Sequence, residues 1–461
     1  MVNRVECKIL LIRSSGWFCL LLTAVMLTAA LSAQAGEKIV IAHRAASGYL
    51  MEHNLPSVAL AVGMGSDYIE QDLVMTKDDQ VIVLHDPTLA RVTNVAELFP
   101  GRNRADGKFY ALDFTLAEIK RLRLLEPYSN SGNGEGRFPD TSQNLQLSIP
   151  TFKEELELIR GLEKTMRRDI GIYPEIKQPW LHRKEGKDIS LAVLKILREY
   201  DYTTRDEKIF VQCFDPQELK RIHDELFPAL GMDLKLTQLI DDNNGNETKT
   251  LEWGEWVNYN YDWILSKSGL RAISAYISGI GLDKSMLVDG AGNLLRPTLI
   301  DDAHQLGLVV HPYTFRREKE SLPPYAASFE ALLEFFYFKV GVDGVFTDYC
   351  GDAVRFLHTR PTAPAAVPTG GEILPSQPVV DPESPKEPQV PQTPPTSPAA
   401  ASQPGMPVAP AVPAVAAPPP TTVPTPPGSV APAARLPIII TGPEPVAPPA
   451  PVPPPAESKY R

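Results

Sequence analysis

Short apolar runs alternate with longer amphipathic segments between residues 37 and 359, and this alternation is the main structural signal of the chain. Apolar and β-branched runs predict buried strands, and apolar residues at helical spacing predict helices. The strands are predicted at 39–42, 68–74, 172–177, 209–214, 235–240, 277–282, 308–314 and 344–347. Because most of them are followed by a predicted helix, the pattern favours an α/β fold, the (β/α)8 TIM barrel.

The regular alternation is interrupted after the second strand. Residues 76–80 have turn chemistry, and the apolar run 81–84 is predicted to return antiparallel as a hairpin strand. A polar insertion follows at 87–147, with one amphipathic segment at 115–122. A doubly wound open sheet is the alternative fold, but no glycine-rich phosphate loop follows any predicted strand.

Residues 1–35 have the pattern of a secretory signal peptide. A start containing Arg4, Lys8 and Arg13 precedes an apolar core at 17–31 and the small-x-small site Ala33-Gln34-Ala35. The alternative is a retained membrane anchor, but the apolar run is shorter than the roughly 20 residues of a spanning helix. We therefore expect cleavage, no stable membrane span in the mature chain, and a periplasmic, or else secreted or envelope-associated, protein.

Residues 360–461 form a tail of a different composition, with roughly two-thirds of the chain's 46 prolines. Such a segment buries too little apolar surface to fold, and proline favours extended polyproline II. The tail is predicted to be a disordered spacer that can contact the cell envelope. The folded domain is therefore predicted at 36–359.

Charge and cysteine content narrow the function classes. A net charge of −11 and a pI near 5.4, without a basic patch, argue against a nucleic-acid partner. Cys213 and Cys350 remain after signal cleavage, and we expect both as free thiols because Cys213 ends an apolar strand.

Charged side chains gather on two neighbouring predicted strands. Glu70 and Asp72 lie two residues apart and therefore share a strand face, as do Glu175 and Lys177. Glu175 and Lys177 considered alone would be read as a neutralising pair. Beside Glu70 and Asp72, however, three carboxylates without histidine or cysteine ligands favour a divalent site for Ca²⁺, with Mg²⁺ as the alternative, and not zinc.

Two histidines follow strand ends near these carboxylates. His43 follows the first strand and His85 the hairpin return strand, and Arg44 is adjacent to His43. A lone histidine would be interpreted as a hydrogen-bonded core residue, but two imidazoles beside a carboxylate cluster fit acid–base chemistry on a phosphoester. Arg44 and Lys177 are then candidates for holding phosphate oxygens.

Other residues carry weaker signals. His53 was not assigned a role, His311 is expected at the rim, and His182 on the surface. The tryptophans between residues 253 and 263 are expected to pack in a loop, with walls of a pocket as the alternative.

An ordered set of motifs resembles the glycerophosphodiester phosphodiesterase family, in particular its periplasmic bacterial branch. The set is His43-Arg44-Ala45-Ala46-Ser47-Gly48-Tyr49-Leu50-Met51-Glu52-His53, Glu70-Gln71-Asp72, His85-Asp86, Pro174-Glu175-Ile176-Lys177, Gln212-Cys213-Phe214, His311-Pro312-Tyr313-Thr314 and 341–348. It covers residues 37–357 and none of the tail.

This resemblance implies a (β/α)8 barrel and the hydrolysis of glycerophosphodiesters to glycerol 3-phosphate and an alcohol, with calcium as the metal. It also implies roles for individual residues. These are metal ligation by Glu70, Asp72 and Glu175, acid–base catalysis by His43 and His85, phosphate contacts by Arg44 and Lys177, and a position near the metal for Glu52.

The chain departs from the family pattern at Ala45, Met51 and Asn54, where the family has glycine, proline and threonine. Alanine at the first position is strained if the backbone there needs a positive φ. Two rival functions share this fold: a phospholipase-D-like cyclising enzyme, expected to lack the insertion, and a surface adhesin or host-binding protein, expected to lose catalytic residues.

Overall fold

The computed structural model describes residues 38–126, 137 and 146–360. Eight parallel strands form a barrel, and a ninth strand pairs with the second of them. The barrel strands are β1 (Ile39–Ala42), β2 (Tyr68–Met75), β4 (Gly171–Ile176), β5 (Phe210–Cys213), β6 (Lys235–Ile240), β9 (Gly279–Leu282), β10 (Val309–Val310) and β11 (Gly344–Thr347). The predicted barrel is therefore confirmed.

The strands lie in the order β10-β9-β6-β5-β4-β2-β1-β11, and every neighbouring pair is parallel. The segments that contain the two end strands are joined by backbone hydrogen bonds from Asp343 N to the Val310 carbonyl, from Phe346 N to the Pro312 carbonyl and from Phe315 N to the Phe346 carbonyl. Because all strands point the same way, their carboxyl ends meet at one end of the barrel, which we call the mouth.

Helices cover the outside of the barrel. They are α1 (Leu55–Gly63), α2 (Val95–Leu98), α3 (Leu116–Ile119), α4 (Phe152–Met166), α5 (Pro179–Lys184), α6 (Ile189–Glu199), α7 (Pro216–Arg221), α8 (Phe227–Leu230), α9 (Lys267–Ile273), α10 (Leu299–Gln305), α11 (Phe329–Glu334) and α12 (Cys350–Thr359). Thr151 and Glu154 form a capping box at the start of α4. None of the helices in the described ranges has both the length and the apolar composition needed to cross a membrane.

The insertion begins as predicted. Strand β3 (Val81–Val83) runs antiparallel to β2. Beyond it, the insertion builds a small apolar core separate from that of the barrel, around Leu89, Phe109, Phe114 and Leu124. Met51 is buried in this second core although it lies between β1 and α1 in the chain. The insertion is therefore packed against the segment that carries the first motif.

Several predictions are corrected. The strand predicted at 308–314 is regular only over Val309–Val310. His182 is buried and not on the surface, and its Nε2 accepts a hydrogen bond from Met75 N. His311 lies inside the barrel below the mouth, against the Tyr173 hydroxyl. The segment around Trp253 and Trp256, which was expected to be a loop, forms an antiparallel hairpin of β7 (Lys249–Glu252) and β8 (Glu255–Asn258).

Cys213 and Cys350 are buried and free, as expected. The signal peptide predicted at 1–35 and the tail beyond residue 360 lie outside the described residues.

Candidate active site

A cavity of about 400 Å³ opens at the mouth. Its lining comes from the carboxyl ends of the strands and from the loops that follow them. The lining side chains include all seven predicted catalytic, substrate and metal residues, namely His43, Arg44, Glu70, Asp72, His85, Glu175 and Lys177. The cavity is therefore where the predicted site residues meet.

The three predicted metal ligands lie on two paired strands. Asp72 of β2 pairs with Glu175 of β4 in the parallel register. Glu70 lies two residues earlier on β2 and therefore on the same face of the strand. All three are buried. Burial raises the pKa of Glu70 well above its ordinary value, and the Asp72 and Glu175 carboxylates raise it further. The positive groups around Glu70 therefore do not fully neutralise the buried negative charge of the cluster.

His53 also lies in this cluster, a position that the sequence analysis did not predict. Its Nε2 lies 2.7 Å from Asp72 Oδ2. Within the described ranges, His53, Glu70 and Asp72 are the group whose ligand atoms all lie within 4.8 Å of one another, close enough to hold one metal ion. The sequence signal was available, since His53 follows Glu52 in the first motif.

Lys177 extends from the end of β4 into the acidic cluster. Its ammonium lies 2.7 Å from Glu175 Oε1, 3.3 Å from Glu247 Oε2 and 3.7 Å from Asp72 Oδ1. Burial alone would lower the pKa of Lys177, but these carboxylates outweigh it and hold the pKa well above its ordinary value. Lys177 is therefore charged and held in place.

Arg44 lies on the other side of the cluster. Its backbone N–H donates to Glu70 at 2.5 Å and its Nη1 donates to Glu52 at 3.1 Å. Burial alone would raise the pKa of Glu52, but Arg44 and Arg91 hold it at about 2. The Arg44 Nε lies 3.6 Å from Asp72 Oδ2, so the guanidinium is paired with carboxylates of the cluster on two sides.

His43 is oriented by Asp348, which follows β11. The His43 Nδ1 lies 2.6 Å from Asp348 Oδ1, and Arg316 Nε donates to the other oxygen at 2.7 Å. Asp348 is 1% exposed. Burial and, to a smaller extent, Arg44 lower the pKa of His43 to about 4 against the opposing effect of Asp348. With Nδ1–H bonded to the aspartate, the neutral ring presents Nε2 as a proton acceptor.

His85 has a similar partner on the opposite side of the cavity. Its Nδ1 lies 2.6 Å from Asp86 Oδ1, and Arg91 Nε donates to Asp86 Oδ2 at 2.6 Å. Asp86 is 28% exposed. Arg91 also donates to Glu52 at 2.5 Å, so one residue of the insertion supports both His85 and the partner of Arg44.

The structure therefore brings together all the predicted site residues and Glu52. It adds His53, Asp348, Arg316, Arg91 and Glu247, to which the sequence interpretation assigned no role. His53 and Asp348 could be found from the quoted motifs. Arg91, Arg316 and Glu247 lie in loops and carry no motif, so only the fold places them here.

Comparisons with known proteins find relatives over the length of the barrel. Residues 43–352 match the Glycerophosphoryl diester phosphodiesterase family. A glycerophosphodiester phosphodiesterase from Haemophilus influenzae is 43% identical over 331 residues, which is 70% of this chain and 90% of that protein. Another from Treponema pallidum is 38% identical over 352 residues, covering 74% of this chain and 98% of the relative.

A solved structure gives the same fold. A crystal structure of a protein from Silicibacter pomeroyi DSS-3 aligns with a TM-score of 0.50 and 23% identity, covering 70% of this chain and 93% of that one. The fold, the motif residues gathered in one cavity, and the matched length of sequence agree. The chain belongs to the glycerophosphoryl diester phosphodiesterase family of enzymes.

Proposed function

We propose that the protein hydrolyses glycerophosphodiesters to glycerol 3-phosphate and an alcohol. The observation that carries the proposal is the cavity itself, in which two histidine–aspartate pairs face a buried carboxylate cluster. Such an arrangement combines proton transfer with charge neutralisation, which phosphodiester cleavage needs.

We propose Glu70, Asp72 and Glu175 as the ligands of a divalent metal, with His53 beside them. The residues fit such an ion, because Glu70 is buried among like charges and ligand atoms of His53, Glu70 and Asp72 lie within 4.8 Å of one another. Carboxylate oxygens favour Ca²⁺ or Mg²⁺, and we propose calcium. When bound, the ion would neutralise negative charge that develops on the phosphoryl oxygens.

The two histidines supply the proton transfers in this proposal. His43 Nε2 takes the proton from the attacking hydroxyl, either water or the substrate's own glycerol, as its oxygen bonds to phosphorus; where glycerol attacks, water then opens the resulting cyclic phosphate to glycerol 3-phosphate. His85 Nε2 gives a proton to the alcohol oxygen as the bond between that oxygen and phosphorus breaks. Burial lowers the pKa of both imidazoles, so the assignment follows exposure: His43 is the more enclosed and acts as the base, and the more exposed His85 lies where an alcohol can leave to solvent.

The two cations hold the phosphate. Arg44 lines the cavity beside Glu52 and Asp72, and Lys177 is kept charged between carboxylates of the cavity wall. Charge-assisted hydrogen bonds from such groups are stronger than neutral ones. A guanidinium and an ammonium on adjoining sides of one cavity therefore orient the diester between the two imidazoles.

The test is release of glycerol 3-phosphate from glycerophosphocholine, measured with and without a chelator. Glu175→Gln removes one charge at nearly constant volume, so metal affinity and turnover should fall together. Glu157→Gln, on the exposed face of α4, is the control and should change neither. Full turnover in chelated buffer would contradict the metal, and no release under any condition would contradict the activity.

We also propose that the enzyme is exported to the periplasm through residues 1–35 and that the tail acts as a spacer. Composition alone supports this proposal. Truncation after Thr359 should leave turnover on a soluble glycerophosphodiester unchanged. A large loss of turnover in the truncated enzyme, or recovery of the full-length chain in the cytoplasmic fraction, would contradict it.

A further inference from the structure

Exposed apolar side chains are concentrated at one end of the molecule. In the described residues, eight large apolar side chains are strongly exposed. Four of them lie in the loop after β6 and two in the loop after β9, namely Leu251, Trp253, Trp256, Trp263, Leu294 and Leu295. Strands β6 and β9 are parallel neighbours, so both loops start at the mouth. We call these six side chains the mouth patch.

The other two exposed apolar residues lie elsewhere. Met166 ends α4, which precedes β4, and Phe338 lies in the helical segment that precedes β11. Because the helices run antiparallel to the strands they precede, these positions are at the opposite end of the barrel. The clustering at the mouth is therefore a feature of that end and not of the surface in general.

Trp253 is the most prominent member of the mouth patch. Glu252 pairs with Glu255 across the β7–β8 hairpin, so Trp253 and Gly254 form its two-residue turn. Both have positive φ, 52° for Trp253 and 90° for Gly254, a geometry that favours asparagine or aspartate at the first position. A tryptophan is instead placed there with its side chain fully exposed, at 102%. The residue stabilises neither the turn nor the core.

The hairpin is held firmly below its tip. Trp256 packs on Trp180, with ring centroids 5.6 Å apart, and the Trp180 Nε1 donates to the Glu247 carbonyl at 3.1 Å. Glu247 also lines the cavity. The hairpin is therefore fixed beside the active site, with Leu251 and Trp253 projecting beyond it.

The form of the mouth patch favours a lipid surface. A convex tip carrying one fully exposed indole needs a deep groove in a protein partner, whereas a bilayer deforms around it. Tryptophan also prefers the membrane–water interface, where its ring is apolar and its N–H stays hydrated.

The charges select the kind of lipid. The hairpin carries Glu252 and Glu255 against one lysine, Lys249, and Asp241 and Asp242 precede it. An anionic surface would repel this face, while a zwitterionic surface would not. We propose that the mouth patch docks the enzyme on a zwitterionic phospholipid bilayer, with Trp253 inserted among the head groups. This docking does not depend on the proposed reaction.

The test is co-sedimentation of the full chain with phosphatidylcholine vesicles. Trp253→Ala should weaken vesicle binding by about tenfold, because an indole buries a large apolar area. Met166→Ser removes a comparably exposed side chain from the other end and should leave binding unchanged. Equal thermal stability of the three proteins, measured by circular dichroism, shows that each is folded.

Four outcomes would overturn the proposal. These are no binding of the unaltered chain to phosphatidylcholine vesicles, equal binding after Trp253→Ala, and stronger binding to phosphatidylglycerol than to phosphatidylcholine. The fourth is a dimer in analytical ultracentrifugation that Trp253→Ala dissociates while vesicles bind neither protein. That last result would assign the patch to a second copy of the chain.

Discussion

The barrel and the insertion each support one of the two histidines, and they do so differently. His43 follows β1, and its partner Asp348 follows the neighbouring strand β11, so the barrel places both members of the pair, although Arg137 of the insertion also contacts Asp348 at 2.8 Å. His85 follows β3, and its partner Asp86 is held by Arg91 of the insertion. The first aspartate is 1% exposed and the second is 28% exposed.

Because of this difference, the two proton-transfer groups lie in surroundings with unequal access to water. The barrel side is dry, so a lost hydrogen bond cannot be replaced by water. On the insertion side, water can reach Asp86 and replace a hydrogen bond that is lost there. The second apolar core, which includes Met51, packs the insertion against the first motif and so keeps Arg91 near Glu52. We expect the two sides to respond unequally to the same substitution.

The largest effect is expected from removing either imidazole. His43→Ala and His85→Ala should each lower turnover by about 10²–10⁴-fold, since each removes one proton transfer. The measurement is steady-state release of glycerol 3-phosphate. Both variants should keep the circular dichroism spectrum of the unaltered protein.

The leaving group then distinguishes the two roles. A substrate with p-nitrophenol as leaving alcohol needs little protonation and should restore turnover to the variant that lost the acid. We expect restoration of His85→Ala alone. Restoration of His43→Ala alone would exchange the roles of the barrel and insertion sides.

The next effect tests the comparison directly. Asp348→Asn should lower the turnover number by roughly 10²-fold or more, and Asp86→Asn by about tenfold, because only Asp86 is open to water. The Michaelis constant should change little in either variant, since both act through an imidazole. Equal losses in the two variants would show that exposure of the aspartate does not matter.

A buried acid behind the barrel wall gives a smaller, pH-dependent effect. Glu155 of α4 accepts a hydrogen bond from Gln71 at 3.0 Å, and burial raises its pKa to about 8. Since the pKa of an unfolded glutamate is about 4.5, the folded chain holds a proton that the unfolded chain releases between these values. Its contribution to stability is complete below pH 4.5 and is lost as the pH rises towards 8.

Urea unfolding at several pH values between 5 and 8 measures this contribution. Glu155 should make the free energy of unfolding fall by about 1 kcal/mol per pH unit, and Glu155→Gln should remove that slope. Glu157→Gln, exposed on the same helix, should leave the slope unchanged. An unaltered slope after Glu155→Gln would show that the acid is ionised in the fold.

The repeating part of the fold could be predicted from sequence because buried strands and covering helices have different periodicities. The limits of that signal are seen at residues 308–314, where an apolar run forms regular strand only over Val309–Val310. Pro312 lacks an N–H and so cannot continue a ladder. Likewise, His182 has the sequence surroundings of a surface helix, and only tertiary packing buries it beneath β2.

The site could be predicted where chemistry follows strand ends, as it does for Glu70, Asp72 and Glu175. It could not be predicted for Arg91 or Glu247, because long loops bring them from positions without a motif. Two departures from the family pattern are now explained. Asn54 caps α1 through its side chain, as a threonine can, and Met51 fills the insertion core.

The third departure, Ala45, gives the smallest predicted effect. Its φ of 64° confirms the positive backbone angle that glycine adopts without strain. Ala45→Gly should relieve about 1–2 kcal/mol of strain. Two effects act against this gain. The substitution raises the entropy of the unfolded chain, which costs about 0.4–1 kcal/mol of stability, and it removes one buried methyl group.

These terms nearly cancel, so Ala45→Gly should change the free energy of unfolding by less than about 1 kcal/mol. Turnover should also be nearly unchanged, because Arg44 N still donates to Glu70. Ala45→Val is the contrasting variant and should destabilise the protein clearly, since a β-branched side chain tolerates positive φ poorly. Because Ala45 lies in the segment that joins β1 to the insertion core, a gain above about 2 kcal/mol from glycine would show that this junction is strained.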